Sequence, residues 1–298
     1  MTTSDAMSEA ETLATLKQAC EAARLSADGA RLLRLGSNAV YRLAEPVVAR
    51  IARPEADNTP ARRLIGVARW LESAGYPAVR SLAFEQPLIV AGHAVTFWEA
   101  VPDSDRYATI DQVAEVIARL HKMTAPGELE LPLLAPFSNA GQRIAASRWL
   151  TEDDRVWMTS ELARLQAAYA GLDFELPQGV IHGDANIGNV LQDDYGNPVV
   201  IDLDDFTTGP REWDLILTAI YYDRFGWHTD EEYETFTRIY GYDLLQWPGY
   251  PVLAEVREFI MVTWIILKAD ESERTSVEAR KRVTALRTGR SRKDWDPF

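Results

Sequence analysis

Oxygen-bearing side chains crowd one stretch of this sequence, residues 180–214. Val180-Ile181 runs into His182-Gly183-Asp184, Asn189 follows five residues after Asp184, and Val199-Val200-Ile201 ends on Asp202. Asp204 and Asp205 come next, then Gly209-Pro210-Arg211-Glu212-Trp213-Asp214. Short β-branched runs that alternate with such loops set carboxylates and amides at the ends of buried strands. A carboxylate in a loop leaving a strand, as at Asp184, can meet an incoming hydroxyl and take its proton. Asn189 and Asp202 offer the hard oxygen atoms that Mg2+ prefers. If Val190-Leu191 pairs with Val199-Val200-Ile201 across the turn 193–197, both come out at one end of the ladder, where one metal can touch both.

The rest of the chain divides by hydrophobic period. Glu9 to Arg24 reads as an amphipathic helix through Leu13, Leu16, Cys20 and Ala23. Arg31–Leu35, Val40–Leu43 and Val47–Ala52 read as three strands on short turns, the pattern of an antiparallel meander. A helix over Pro60–Ser73, capped by Thr59, and strands over Val79–Ala91 and Ala94–Val101 complete a sheet of about five strands with a helix packed on it. After Pro102 the pattern turns helical: Ile110–Met123 behind Thr109, then about 138–150, 154–170, 211–223, 230–240, 252–269 and 275–288. This is an α+β chain, with a small β-rich lobe over residues 1–101, a larger helical lobe over 102–298 and a junction near Glu99–Asp105.

Composition narrows the class. At 298 residues, 47% hydrophobic and 26% charged, the chain can bury a large core. A lone Cys20 forms no internal disulfide, which fits a reducing, cytoplasmic setting, and the four scattered His do not suit zinc. Met1 to Ala10 is polar and acidic, so a signal peptide is not expected, and the longest apolar run, Phe259–Leu267, is too short to span a membrane. The net charge of −14 is concentrated in residues 151–250, with 20 acidic residues, 5 arginines and no lysine. An acidic segment repels nucleic acid and suits metal and cationic substrates. The basic residues of the tail, Arg280-Lys281-Arg282 and Arg287 to Lys293, read as a solvated helix face. No GxxxxGK[ST] occurs, which excludes a P-loop NTPase.

The joint pattern His182-Gly183-Asp184-x-x-x-x-Asn189, Ile201-Asp202-x-Asp204-Asp205 and Trp213-Asp214 resembles the signature of the aminoglycoside phosphotransferase/choline kinase family. That family has a protein-kinase-like two-lobed fold, and the likeness of lobes runs over nearly the whole chain. The resemblance implies that Asp184 is the catalytic base, that Asn189 and Asp202 bind Mg2+, and that ATP or GTP lies between the lobes. It implies that Asp214 braces the catalytic loop through backbone N–H groups and that His182 orients it. Gly36-Ser37-Asn38-Ala39 occupies the place of the nucleotide loop, with Ser37 and Asn38 near phosphate, although an ordinary hairpin turn reads equally well. Arg50 aligns with the lysine that holds the α- and β-phosphates, while the glutamate expected on the 60–73 helix is missing. Glu99 and Val101 fall at the hinge whose backbone pairs with the base, and Trp98 and His121 read as core side chains.

The expected activity is transfer of a γ-phosphoryl group to a hydroxyl of a small molecule. Cationic antibiotics such as aminoglycosides, and metabolites such as amino alcohols, sugars or nucleosides, are both open. The acidic segment tilts toward a cation, with Asp205, Asp223, Asp230 and Glu231 as candidate acceptor-pocket carboxylates; Asp205 is also open as a metal ligand, and Asp204 reads as exposed. The competing class is a non-catalytic kinase-like binding module.

Overall fold

Three strands on short turns start the sheet of the computed structural model, which describes residues 7–36, 38–54, 57–101 and 106–297. Strands β1 (Arg31–Leu35), β2 (Asn38–Arg42), β3 (Val47–Ala52), β4 (Leu88–Val90) and β5 (His93–Glu99) form one antiparallel sheet in the order β1-β2-β3-β5-β4. Alternation along β3 buries Val47, Ala49 and Ile51 on one face. That face packs on helix α1 (Glu9–Ala23), where Leu16, Ala19 and Cys20 join Tyr41 and Phe97 in one apolar cluster. Ser8 caps α1 by accepting from the Glu11 N–H, and the Thr12 hydroxyl meets the Tyr41 hydroxyl at 2.7 Å.

Three sequence expectations need correction here. The segment 79–87 is not a strand: the Gln86 side chain bonds the Leu82 carbonyl and both backbone groups of Phe97, and Pro87 lacks an N–H for a ladder. The second strand starts at Asn38 rather than Val40. Helix α2 (Thr59–Ser73) begins at Thr59, whose N–H and hydroxyl both donate to Asp57, so Thr59 lies inside the helix instead of capping it. Ser37 and residues 102–105 of the expected junction lie outside the described residues, as do residues 1–6 of the N-terminal segment.

Helix α3 follows at Ile110–Leu120, three residues shorter than expected, then α4 (Ala140–Ala146) and α5 (Glu152–Ala170). The mixed stretch holds β6 (Gln178–Ile181), β7 (Val190–Gln192), β8 (Pro198–Val200) and β9 (Thr207–Pro210). Helices α6 (Glu212–Asp223), α7 (Asp230–Tyr240), α8 (Tyr250–Lys268) and α9 (Glu273–Thr288) end the chain.

The chain forms two compact units. The first takes Met1–Val116, Met123–Leu131 and Ile187–Phe206; the second takes Ile117–Lys122, Pro132–Asn186 and Thr207–Phe298. In the first, the β7–β8 hairpin is fixed by the Ala108 N–H on the Val190 carbonyl and the Val79 N–H on the Val200 carbonyl, each at 2.8 Å. In the second, β6 pairs antiparallel with β9, and α8, nearly all buried along Leu253, Val256, Phe259, Val262 and Ile266, packs with α4, α5, α6 and α9. The basic tail is a solvated face only in part. Arg280, Arg287, Arg290 and Lys293 are exposed, with Arg280 and Arg287 both reaching Asp154, whereas Arg282 is buried against Glu278 at 2.7 Å. Among the described residues no helix is long and apolar enough to cross a membrane.

Candidate active site

In the second unit, Val180 and Ile181 of β6 are buried opposite Thr208 and Thr207, and the chain turns out of the strand at His182. Gly183 makes that turn at φ +88°, a left-handed conformation that a side chain would strain. Asp214, in the first turn of α6 and fully buried, accepts both freed amides: His182 N–H on Oδ2 at 2.7 Å and Gly183 N–H on Oδ1 at 2.8 Å. The neighbouring Trp213 indole N–H donates to the Gly183 carbonyl at 2.8 Å. His182 Nδ1 accepts the Asp184 N–H at 3.3 Å, so the ring proton of its neutral form sits on Nε2. Consecutive backbone groups ahead of the Asp184 side chain are therefore held by side chains.

Asp214 has its own support. His121, the buried core histidine expected from the sequence, meets Asp214 Oδ2 through Nε2 at 3.1 Å and the Tyr240 hydroxyl through Nδ1 at 2.8 Å. Burial alone raises the Asp214 carboxyl, but the His121 hydrogen bond and the His121 and His182 rings, with the His182 N–H, outweigh it and hold it below the usual carboxylate range.

Asp184 keeps its carboxylate about one-third exposed, at 34%, and ion-pairs with Arg257 of α8. The Arg257 guanidinium lies over the Trp213 ring at 5.1 Å, so one tryptophan supports both the loop backbone and the cation that meets Asp184. Tyr221 of α6 feels the same pair: burial first, then the Asp184 charge, pushes its hydroxyl up to about 12. It is a neutral hydroxyl at physiological pH.

The first unit carries the other oxygen donors. Register pairs Val190 with Val200 in the expected hairpin, and the Ile201 N–H donates to the Asn189 carbonyl at 3.0 Å, so Asn189 and Asp202 do leave the ladder at one end. The turn is tied by Asp193, whose carboxylate accepts the Tyr195 and Asn197 N–H groups at 2.9 and 2.8 Å. Asp202 sits at φ +57°, in the left-handed region that Asp and Asn enter more readily than other side chains. Leu203–Asp205 then forms one 3-10 turn. Asp204 is exposed, as expected, and its Oδ2 lies 2.5 Å from Arg50 Nη1. Asn38, with its amide oxygen turned to Arg50, accepts from Nε at 3.2 Å and Nη2 at 2.5 Å. The arrangement at Arg50 thus joins β2, β3 and the turn after β8.

At the expected hinge, the Glu99 N–H donates to the Arg80 carbonyl and the Ala100 N–H to the Pro46 carbonyl. Trp98 is a core side chain, 6% exposed, with its indole on Thr96 at 2.8 Å. The candidate acceptor carboxylates are divided between the two units. Asp205 is exposed in the first unit, Asp223 accepts the Tyr250 hydroxyl at 2.8 Å, and Asp230 accepts from Tyr222. Asp230 and Glu231 open α7, where acidic residues complement the helix dipole and Thr229 with Glu232 forms a capping box.

Sequence reasoning missed Asp204 and Arg257. The signal for Arg257 was an Arg257-Glu258 pair set inside the apolar run of α8, where unpaired charge is too costly to keep.

Residues 29–256 match the sequence profile of the phosphotransferase enzyme family, APH. The chain belongs to this family. Among solved structures, it is similar to the amicoumacin kinase hAmiN in complex with AMP-PNP, Ca2+ and Ami, at 14% identity and a TM-score of 0.75, over 97% of this chain and 98% of that one. The choline kinase LicA from Streptococcus pneumoniae is similar at 16% identity and a TM-score of 0.60, over 93% and 100% of the two chains. The aminoglycoside phosphotransferase APH(3'')-Id from Streptomyces rimosus is similar at 21% identity and a TM-score of 0.60, over 85% and 99%. No curated protein matches by sequence. The protein-kinase-like α+β fold read from the sequence is therefore the fold of this phosphotransferase.

Proposed function

We propose that this phosphotransferase moves the γ-phosphoryl group of ATP or GTP to a hydroxyl of a small molecule, with Mg2+ as its metal. The observation that supports this most is the clamp on the loop after β6: Asp214 and Trp213 hold three backbone groups of His182 and Gly183, and so fix where Asp184 stands. Phosphoryl transfer asks a protein mainly to position its reactants and to stabilise charge, and a carboxylate held this way aims the acceptor hydroxyl. Asp184 accepts the hydroxyl proton as the oxygen attacks the γ-phosphorus and the nucleoside diphosphate leaves. His182 and Asp214 are positioning residues for it.

The donor set fits a hard cation. Among the described residues no three His, Cys, Asp or Glu stand close enough to hold a metal on their own. Asn189 and Asp202, an amide and a carboxylate at the same end of the hairpin, instead suit an ion that keeps water and phosphate oxygens in its shell. Bound there, Mg2+ neutralises phosphate charge. Arg50 meets the α- and β-phosphates, Ser37 and Asn38 belong to the loop beside them, and Glu99 and Val101 present backbone to the base. Residues 1–101 form the nucleotide side of this reading, and 102–298 carry the catalytic loop and the acceptor side.

For the acceptor, we favour a cation such as an aminoglycoside over a neutral metabolite, with Asp223, Asp230 and Glu231 as its contacts. The support is narrower than the bare charge count, because Asp154 is neutralised by Arg280 and Arg287, and Glu161 and Glu255 share Arg164. The exposed carboxylates of α6 and α7 carry it instead. A cytoplasmic location goes with this reading; Cys20 is buried, and burial and then Glu45 push its thiol up to about 11, which keeps it unreactive.

The test is a Mg2+-dependent turnover screen with ATP and GTP over aminoglycosides, other antibiotics, amino alcohols, sugars and nucleosides, read as the mass gain of one phosphoryl group on the acceptor. Transfer to a polyamine antibiotic is the expected result. Transfer to neutral acceptors alone removes the cationic assignment, and no transfer to any hydroxyl, with nucleotide still bound, turns the chain into a binding module.

A further inference from the structure

Arg50 stands where the family resemblance expects a lysine, and α2 provides no carboxylate to hold it. The single acidic residue of α2 is Glu72, in its last turn, and its partner is Arg80 at 3.7 Å. A guanidinium on β3, a central strand of the sheet, is only 22% exposed and needs another counter-charge. It finds one 154 residues along the chain. Asp204 approaches Nη1 at 2.5 Å from the turn after β8, and the Asn38 oxygen takes Nε and Nη2 at the start of β2.

We infer that Asp204 and Asn38 form the anchor of Arg50 and hold its guanidinium toward the phosphates of a nucleoside triphosphate, the task a glutamate on α2 would otherwise perform. The inference rests on the reading of the chain as a nucleotide-dependent kinase. An arginine has five N–H donors in a rigid fork, and these contacts occupy three of them. Two remain, in a fixed direction, for phosphate oxygens. A lysine ammonium on the same strand would have no fork to be gripped from both edges, which explains why Arg and the Asp204/Asn38 pair occur together here. The anchor also links two parts of the site: Asp204 lies two residues after Asp202, so the turn that would hold the metal also sets the phosphate arm. Asp204 and Asn38 are positioning residues, because they act through Arg50.

The experiment is titration of the full chain with AMP-PNP, in Mg2+ and again in EDTA, with adenosine as the probe that has no phosphate. Replacing a hydrogen-bonded charge should weaken AMP-PNP binding about ten-fold in Asp204→Asn, in both Mg2+ and EDTA, and leave adenosine binding unchanged. Arg50→Met should show the same loss, the double variant should be no weaker than either single one, and Asp204→Glu should recover most of the affinity. AMP-PNP binding that is unchanged or tighter in Asp204→Asn overturns the anchor, since tighter binding would mean that Asp204 blocks Arg50. A loss confined to Mg2+ also overturns it, since Asp204 would then serve the metal. A wild-type chain that binds neither AMP-PNP nor adenosine overturns the kinase reading and the anchor with it; wild-type binding with an unaffected Asp204→Asn overturns the anchor alone.

Discussion

Asp214 does more for the site than any other single side chain, because one buried carboxylate accepts two backbone amides and a histidine. Its folded-state carboxyl is held below its ordinary value of 3.8, so the unfolded chain takes the proton first as pH falls. The stabilisation is complete above that value and is lost as pH drops below it, through the folded value. Thermal unfolding followed from pH 7 to pH 3 should therefore show an acid limb that Asp214→Asn flattens, with a lower Tm at pH 7. An acid limb of equal steepness in both proteins would assign it to other carboxylates. At Asp202, replacement by Ala should abolish the Mg2+-dependent part of nucleotide binding while the metal-independent part persists; equal metal dependence in the variant would remove Asp202 from the metal site.

At the scale of elements, the β6–β9 ladder aims the loop and α8 backs it. Gly209 on β9 faces Gly179, and an added Cβ there would meet Leu134 Cβ at 2.9 Å and Ile181 Cδ1 at 3.0 Å. Gly209→Ala should cost about 1–3 kcal/mol in denaturant unfolding, because overpacking a tight interface forces strand or side chain to move. On α8, Glu258 is fully buried between Arg224 at 3.0 Å and Arg292 at 3.2 Å. Burial pushes its carboxyl up even against both cations, so removing one is severe: Arg224→Ala should cost about 3–5 kcal/mol, and Arg224→Ala/Glu258→Gln should recover part of that.

These elements also explain what the sequence could show. The hairpin that sets Asn189 beside Asp202, and the helix start that brings Asp214 under His182, depend on spacings of a few to about thirty residues and on periodic patterns. The pairs Arg257–Asp184 and Arg50–Asp204 span 73 and 154 residues and come from tertiary packing alone. No local period encodes them. The over-long strand at 79–91 fails for a related reason, since a side chain of Gln86 replaces the ladder that the apolar pattern suggests.

Across the whole molecule, the residues of the proposed chemistry are divided between two units: the first holds Asn189, Asp202 and Arg50, and the second holds Asp184 with its clamp. A ligand that binds only the folded chain stabilises it, by about 2.7 kcal/mol at a concentration of 100 Kd. Mg2+ with AMP-PNP should therefore raise the Tm, and adenosine at equal saturation should raise it equally, since saturation alone sets this term. The net charge of −14 argues against a polyanionic partner, and no shift of the protein by duplex DNA at 0.1 M salt is expected.

The most direct test of phosphoryl transfer by this chain compares the wild type with Asp184→Asn, using the best acceptor from the screen and γ-labelled ATP in Mg2+. The label should move to the acceptor hydroxyl in the wild type, and kcat should fall by about 10²–10⁴ in the variant with nucleotide affinity retained. An unchanged kcat in Asp184→Asn would contradict the account at its centre.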